Sequence, residues 1–253
     1  MTIGLFIPCF MNELYPEASM ATLKLLEKLK FNVEYPMEQT CCGQPMANSG
    51  CSQDIEKLAH RFVNTFKKYD YVVAPSGSCV TMVKEHYEPF FNDNKDYNKI
   101  KTSIYEITEF LHDIAKIDKL DSKFNYKVGI HNSCHGHRVL KLGSASELNI
   151  PHFNKLESLL SLVEGIELVK LNRDDECCGF GGTFSVKHGD ISAAMVADKT
   201  KHLLNADVVQ YVSADHGCMM NINGALAYQK QSLRGEHIAS YLLRRTQADK
   251  AAK

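Results

Sequence analysis

Short apolar runs alternate along the chain with longer segments in which apolar residues recur every three or four positions. The runs are typical of buried parallel strands, which carry apolar side chains on both faces. The clearest runs are TIGLFIPC, DYVVAPSGSC, YKVGIHNSC and DVVQYVSADHGC. The segments between them show helical periodicity. This alternation predicts right-handed βαβ units with parallel sheets.

Two of the predicted helices show their periodicity clearly. PEASMATLKLLEKLKF and GDISAAMVADKTKHLLN each place apolar side chains along one helical face. The apolar positions are Met20, Leu23, Leu26 and Leu29 in the first helix, and Ile191, Met195 and Leu203 in the second. The stretch NDNKDYNK, residues 92–99, is polar and is predicted to be a surface loop.

The order of elements occurs twice. Each half begins with a strand ending in a cysteine, and a helix and a short strand then lead to a Cys-Cys-Gly turn. A second helix and a second strand ending in a cysteine follow. The closing helices also correspond, since EITEFLHDI resembles HIASYLLRR. We therefore predict an α/β fold of two tandem, duplicated Rossmann-like βαβ units, residues 1–122 and 123–253, related by a pseudo-two-fold.

Composition narrows the class of protein. The chain has 253 residues, with 29 Lys and Arg against 30 Asp and Glu, so its formal net charge is -1. This balance argues against a protein that binds nucleic acid or a membrane surface through bulk charge. No apolar run approaches the ~20 residues of a spanning helix, and the start MTIGLFIPCF lacks a basic leader. The expectation is a cytoplasmic protein without a membrane span.

Cysteine is the unusual component, with nine residues in the chain. Eight of them form two matched quartets: Cys9, Cys41, Cys42 and Cys79 in the first half, and Cys134, Cys177, Cys178 and Cys218 in the second. Because the carboxyl ends of parallel strands meet at one edge of a sheet, each quartet is expected to converge there. Cys51 has no counterpart and is interpreted as a small buried residue, with a spare ligand for the first quartet as the alternative.

Three chemistries can use four converging thiolates: an iron–sulfur cluster, a structural zinc ion, and thiol–disulfide exchange. Zinc sites usually draw on two close Cys-x₂₋₄-Cys pairs, and the sequence contains none. Adjacent cysteines suit a cluster better than a single tetrahedral ion, because neighbouring side chains can reach different irons. The pattern favours iron–sulfur clusters, and zinc remains possible as a substitute.

Residues beside the cysteines are candidates for cofactor binding: Gly43, Gly179, Gly181, Gly182, His135 and Arg138. The glycines allow close approach of backbone amides to thiolates and sulfides, or they simply make tight turns. His135 is interpreted as a hydrogen-bond donor or ligand, or as a surface histidine. Arg138 offsets cluster charge or forms a plain salt bridge. The sequence identifies no catalytic residue, and no G-x-G-x-x-G motif indicates a nucleotide cofactor.

The paired Cys-x(n)-Cys-Cys-Gly-x(n)-Cys units resemble the cysteine-rich CCG domain family, over nearly the whole chain. That family includes the cysteine-rich component of heterodisulfide reductase and the iron–sulfur component of glycolate oxidase. The two-unit form, with PSGSC, CCGFGG and HGC, resembles most the branch that takes part in lactate utilisation.

The resemblance implies an electron-transfer subunit of a complex oxidising L-lactate to pyruvate without NAD, rather than a stand-alone enzyme. It implies clusters, most simply one [4Fe-4S] per quartet, and two partner proteins, one of them a further iron–sulfur protein. A subunit of a glycolate-oxidising complex, a subunit of a disulfide or thiol reductase, and a zinc-bound scaffold remain alternatives.

The sequence departs from the heterodisulfide reductase pattern at one position in each unit. In that branch each unit ends in Cys-x-x-Cys, which gives five cysteines for a noncubane cluster. Here Met82 and Asn221 stand where the fifth cysteine would be. Each quartet therefore has thiolates for a four-ligand cluster only, and this departure argues against direct disulfide cleavage.

Overall fold

The computed structural model describes residues 1–120 and 122–247. Its strands form two four-stranded sheets, each entirely parallel. The first sheet contains β1 (Thr2–Leu5), β2 (Asn32–Glu34), β3 (Tyr71–Ala74) and β4 (Ile104–Glu106). The second contains β5 (Lys127–His131), β6 (Glu167–Val169), β7 (Gln210–Ser213) and β8 (Gly235–His237). The predicted α/β fold of two similar units is confirmed.

Helices connect the strands of each sheet. Those before β5 are α1 (Cys9–Leu14), α2 (Pro16–Lys28), α3 (Gln44–Asn48), α4 (Ile55–Phe66), α5 (Gly77–His86), α6 (Lys95–Ser103) and α7 (Ile107–Glu109). Those after β5 are α8 (Lys155–Leu160), α9 (Phe184–Lys187), α10 (Gly189–Asn205), α11 (His216–Tyr228) and α12 (Ile238–Gln247). Two π-helical turns, Phe110–Ile114 and His135–Val139, follow α7 and β5. Within the described residues, no helix combines the length and apolar character required to cross a bilayer.

Both sheets have the same strand order, β2-β1-β3-β4 and β6-β5-β7-β8. In each sheet, the second strand in sequence lies on one side of the first strand. The third and fourth strands lie on the other side. The direction therefore reverses between β1 and β3, and again between β5 and β7. In open parallel sheets, such a reversal opens a crevice beyond the carboxyl ends of the two central strands. Each unit thus presents its strand-end loops around a crevice.

One apolar cluster joins the two units. It packs Leu25 of α2 and Phe110 against Leu159 of α8, Val212 of β7 and Tyr241 of α12. Two further clusters lie on the far sides of the sheets, one around Phe6 and Phe66 and the other around Leu203 and Ile222. The two sheets therefore share a central core. The unit boundary between residues 122 and 123 remains a prediction, and residues 248–253 lie outside the described residues.

The predicted helical faces are correct at Leu26 and Leu203, which are fully buried, and wrong at the first position of each face. In α2, Met20 is exposed, and Ala21 and Leu25 are among the buried residues. In α10, Ile191 is exposed, and Val196 and Lys199 are buried. These positions differ because α2 also buries small residues and α10 also buries a lysine, which a search for large apolar side chains passes over.

The predicted loop over residues 92–99 is also wrong in its second half. Helix α6 begins at Lys95, and the Asn94 side chain accepts hydrogen bonds from the Asp96 and Tyr97 amides at its start. Tyr97 and Ile100 provide the buried face. An N-cap side chain satisfies amides that lack intrahelical partners, so a mostly polar sequence forms a helix here.

Candidate metal centre

The cysteines of each quartet lie at the carboxyl edge of their own sheet. Cys9 follows β1 and begins α1, and Cys79 lies in the first turn of α5, which follows β3. The Cys41–Cys42 pair immediately precedes Gly43, the N-cap of α3. Helix N-termini present free amides and partial positive charge, which favour the thiolate form.

The second quartet repeats this placement. Cys134 follows β5 at the start of a π-helical turn, and Cys218 lies in the first turn of α11. The Cys177–Cys178 pair lies in the turn before Gly179. Ser76 and Asp215 cap α5 and α11, accepting from the Cys79 and Gly217 amides respectively. The caps hold Cys79 and Cys218 at equivalent positions in the two units.

Thiol contacts run in sequence through the first quartet, from Cys9 to Cys41, Cys42 and Cys79. The thiols of Cys42 and Cys9 donate to Cys41 and lower its pKa to about 3. The Gly43 amide also donates to this sulfur, at 3.4 Å. Hydrogen bonding to Cys41, together with burial, raises the pKa of Cys9 and of Cys42. These hydrogen bonds favour the thiolate form at Cys41.

The second quartet has the same arrangement, from Cys134 to Cys177, Cys178 and Cys218. The Cys134 and Cys178 thiols lower the pKa of Cys177 to about 2. The Gly179 amide donates to the Cys177 sulfur at 3.4 Å, and the Phe180 amide to Cys178 at 3.5 Å. The thiolate is the metal-binding form of cysteine, and in each quartet the hydrogen bonds favour it at the first cysteine of the vicinal pair.

The glycines of both turns have positive φ angles. Gly43 and Gly179 have φ values of +87° and +81°, in the left-handed region that favours glycine. A Cβ at Gly179 would lie 2.8 Å from the Ser192 carbonyl oxygen. Gly181 and Gly182 also have positive φ. These conformations bring the Gly43 and Gly179 amides to the sulfurs two residues earlier.

All eight quartet cysteines line one cavity of about 400 Å³ between the two units. The Ser78 amide donates to the Asp215 carboxylate at 3.3 Å, across the units. Tyr15 stacks on His216, with ring centroids 4.4 Å apart. Each quartet thus gathers within its own unit, and the two quartets face a common space.

The sulfurs of a quartet are more widely spread than a single ion requires. Around tetrahedral zinc with Zn–S bonds of about 2.3 Å, all four sulfurs lie roughly 3.8 Å apart. Among the described residues, the group of ligand atoms that all lie within 4.8 Å of one another is His131, Cys178 and Cys218. In the described part of the chain, no three sulfurs of one quartet form such a group. The two thiols of each vicinal pair contact each other, so adjacent cysteine side chains do not diverge as expected.

The predicted accessory residues have different surroundings. His135 lines the cavity. Arg138 binds the Glu147 carboxylate at 2.7 and 3.0 Å and the Asp175 carboxylate at 3.1 Å. These ion pairs favour the salt-bridge interpretation of Arg138, although its charge also acts on Cys134.

The interpretation of Cys51 as a buried residue is wrong. Cys51 is exposed and lies in the turn between α3 and a 3₁₀ turn, Ser52–Asp54. Its sulfur is 3.9 Å from the Ser49 carbonyl oxygen, and it does not line the cavity. The neighbouring residues are polar or small, so the turn has no apolar face to bury it.

The two fifth-cysteine positions have structural roles. Met82 is fully buried in the apolar cluster of the first unit. The Asn221 amide donates to the Cys178 carbonyl oxygen at 2.8 Å. In the first unit, the Tyr87 hydroxyl donates to the Cys42 carbonyl oxygen at 2.9 Å. Both vicinal pairs are therefore anchored through the carbonyl of their second cysteine.

His131 lies beside the second quartet and is not among the site residues predicted from the sequence. It is 1% exposed, and neither ring nitrogen has a hydrogen-bond partner among the described residues. Burial lowers its pKa well below the ordinary value. The available signal was a lone histidine at the end of an otherwise apolar strand, three residues before Cys134.

The comparisons with known proteins agree with this site. The sequence model of the cysteine-rich domain, CCG, matches residues 3–84 and 128–223, once in each unit. "Lactate utilization protein A" of Geobacillus sp. (strain WCH70) is 39% identical over 245 residues, covering 96% of this chain and 99% of the relative. The protein of the same name from Geobacillus kaustophilus (strain HTA426) is 38% identical, covering 96% of this chain and 98% of that relative.

A solved structure shares the fold. The crystal structure of a hypothetical protein from Helicobacter pylori superposes with a TM-score of 0.63 at 10% sequence identity. The match covers 97% of this chain and 49% of the other, so this chain spans about half of that protein's length. With two matched domains and full-length relatives, the chain belongs to the cysteine-rich CCG domain family.

Proposed function

We propose that this chain is an iron–sulfur electron-transfer subunit of a complex that oxidises L-lactate to pyruvate. The observation that carries the proposal is the pair of cysteine quartets opening on one cavity. Relatives named for lactate utilisation, aligned over 96% of this chain, support the substrate. The proposed partners are two further proteins of the complex, one of them an iron–sulfur protein.

The donor set fits clusters better than zinc. Thiolates are the usual ligands of iron–sulfur clusters, and the spread of the sulfurs exceeds that around one tetrahedral ion. The proposed ligands are the four cysteines of each quartet, with one [4Fe-4S] cluster per quartet. The amides of Gly43, Gly179 and Phe180 already donate to cysteine sulfurs. Such donors stabilise the negative charge that a cluster gains on reduction.

Two centres suit the proposed reaction. Oxidation of L-lactate to pyruvate releases two electrons and two protons, and an iron–sulfur cluster exchanges electrons one at a time. The complex would pass both electrons to an electron-accepting partner protein and release both protons to water. The chain's own residues hold the two sets of ligands at one cavity. The proposed location is the cytoplasm, because its reducing conditions keep the proposed cysteine ligands from forming disulfides.

The reductase alternative is less well supported by the site. Met82 belongs to the core, and Asn221 anchors the Cys178 carbonyl. Neither residue replaces the fifth cysteine as a ligand.

Deletion of the gene is expected to abolish growth on L-lactate and to leave growth on glucose unchanged. The wild-type gene and the Cys51→Ser variant should restore growth on lactate, because Cys51 lies outside the cavity. The Cys178→Ser variant should fail. Growth on lactate that survives deletion would overturn the substrate assignment, and loss of growth on glycolate alone would favour the glycolate-oxidising alternative.

A further inference from the structure

The two units differ in two buried side chains near their cysteine quartets, one at the end of the first strand and one in the helix after the vicinal pair. Phe6 in the first unit and His131 in the second each lie three residues before the strand-end cysteine. Phe6 packs edge-on against Phe62 of α4, with ring centroids 4.9 Å apart. The corresponding buried position in α10 is Lys199, which lies four residues before Leu203, as Phe62 lies four before Phe66. A histidine and a lysine thus replace an aromatic pair.

His131 is built into the site and has no structural partner among the described residues. A buried imidazole without a hydrogen bond costs free energy unless it binds something that the protein acquires later. The ligand nitrogen of His131 lies within 4.8 Å of the Cys178 and Cys218 sulfurs. His131 does not line the cavity as these two cysteines do, so its ring approaches them from the protein side.

We propose that His131 supplies a nitrogen ligand to the second iron–sulfur centre, so that the two centres differ in ligand type. The first centre has four thiolate ligands. A [4Fe-4S] cluster has one terminal ligand position per iron, so in the second centre the His131 imidazole takes the place of one of the four quartet thiolates. This inference rests on the proposed function and deepens it. Imidazole is an established iron ligand, and its replacement of thiolate raises the reduction potential of a cluster.

Lys199 also raises the reduction potential of the second centre. It is fully buried, and its ammonium group donates to the Asp174 and Arg173 carbonyl oxygens at 3.1 and 3.5 Å. Its charge acts on Cys218 and on His131. A buried cation near a cluster stabilises the reduced form, which carries more negative charge. The second centre therefore has the higher reduction potential of the two, and an electron shared between them resides mainly there.

Pulsed electron paramagnetic resonance on the full-length, reduced protein tests the proposal. We expect a nitrogen hyperfine coupling of the size found for direct imidazole ligands, and it should change when all histidines carry ¹⁵N. The coupling should be lost in His131→Phe, which inserts the residue of the first unit, and retained in His216→Phe. His216 is the matched control, because it is also buried without hydrogen-bond partners among the described residues and lies two residues before Cys218.

The outcomes separate this inference from the proposed function. A wild-type protein without any iron–sulfur signal would overturn the proposed function. Cluster signals without nitrogen coupling, or coupling that persists in His131→Phe, would overturn the ligand assignment alone. The labelled wild-type protein needs no substitution, and His131→Gln keeps a polar side chain at the site if the phenylalanine variant does not fold.

Discussion

Replacing Cys178 with serine is expected to remove one iron–sulfur centre and to leave the other, so that iron content falls by about half. Within the second quartet, Cys178 contacts Cys177 and Cys218. The thiol contacts of each quartet stay within one unit, although both quartets open on one cavity. Cys9→Ser should remove the first centre and leave the second. Iron and acid-labile sulfide, measured on anaerobically purified protein, provide the test.

Cys51→Ser is the matched control for these variants. It makes the same chemical change at an exposed cysteine outside the cavity, so the iron content should stay at the wild-type level. Loss of both centres from Cys9→Ser or Cys178→Ser would show that the quartets share one site. A large loss from Cys51→Ser would show that the proposed ligand set is wrong.

Gly179→Ala is expected to lower the free energy of unfolding by about 2–5 kcal/mol, since backbone strain and overpacking act together. The φ angle of Gly179 is +81°, and an added Cβ would lie 2.8 Å from the Ser192 carbonyl oxygen and 2.9 Å from the Met195 Cβ. Relief of these contacts would pull the turn away from α10. The Gly179 amide would then leave the Cys177 sulfur, so iron retention should fall as well.

Gly224→Ala provides the control for that substitution. Gly224 lies in the exposed face of α11, and a Cβ there would meet nothing within 4 Å. The alanine variant should be more stable by about 0.5–1 kcal/mol, because glycine is a poor helix former. Urea unfolding of both variants gives the comparison. Equal stabilities of Gly179→Ala and wild type would contradict the role assigned to the second Cys-Cys-Gly turn.

The fold was predictable because each central strand forms an apolar run in the sequence and is followed within a few residues by a cysteine. Central strands buried on both faces form continuous apolar runs, and a cysteine follows β1, β3, β5 and β7 closely in the sequence. The vicinal pairs then fix the corresponding turn in each unit. These signals are local, so the duplicated α/β architecture follows from the sequence pattern alone.

The errors came from features that depend on tertiary packing. Periodicity counts apolar side chains, and α10 buries Lys199 because the Arg173 and Asp174 carbonyls satisfy its ammonium group. Cys51 was expected to be buried because cysteine usually is, yet it lies in an exposed turn between polar or small residues. Neither result can be inferred from a residue's type.

The shared cavity also could not be predicted from the sequence. The sequence predicts one converging edge for each unit, and it contains no information on how two such edges face each other. The contacts that set this arrangement join distant residues, such as Ser78 with Asp215 and Thr183 with Asn48. His131 was missed for the same reason, since only the folded chain brings it to Cys178 and Cys218.

Metal analysis combined with Mössbauer spectroscopy on anaerobically purified, full-length protein tests the central claim most directly. The account predicts about eight irons and a similar amount of acid-labile sulfide per chain, in the spectral signature of [4Fe-4S] clusters. The protein should be brown, with an absorbance at about 400 nm that bleaches on reduction. A colourless protein that binds zinc and takes up no iron after anaerobic reconstitution would contradict it.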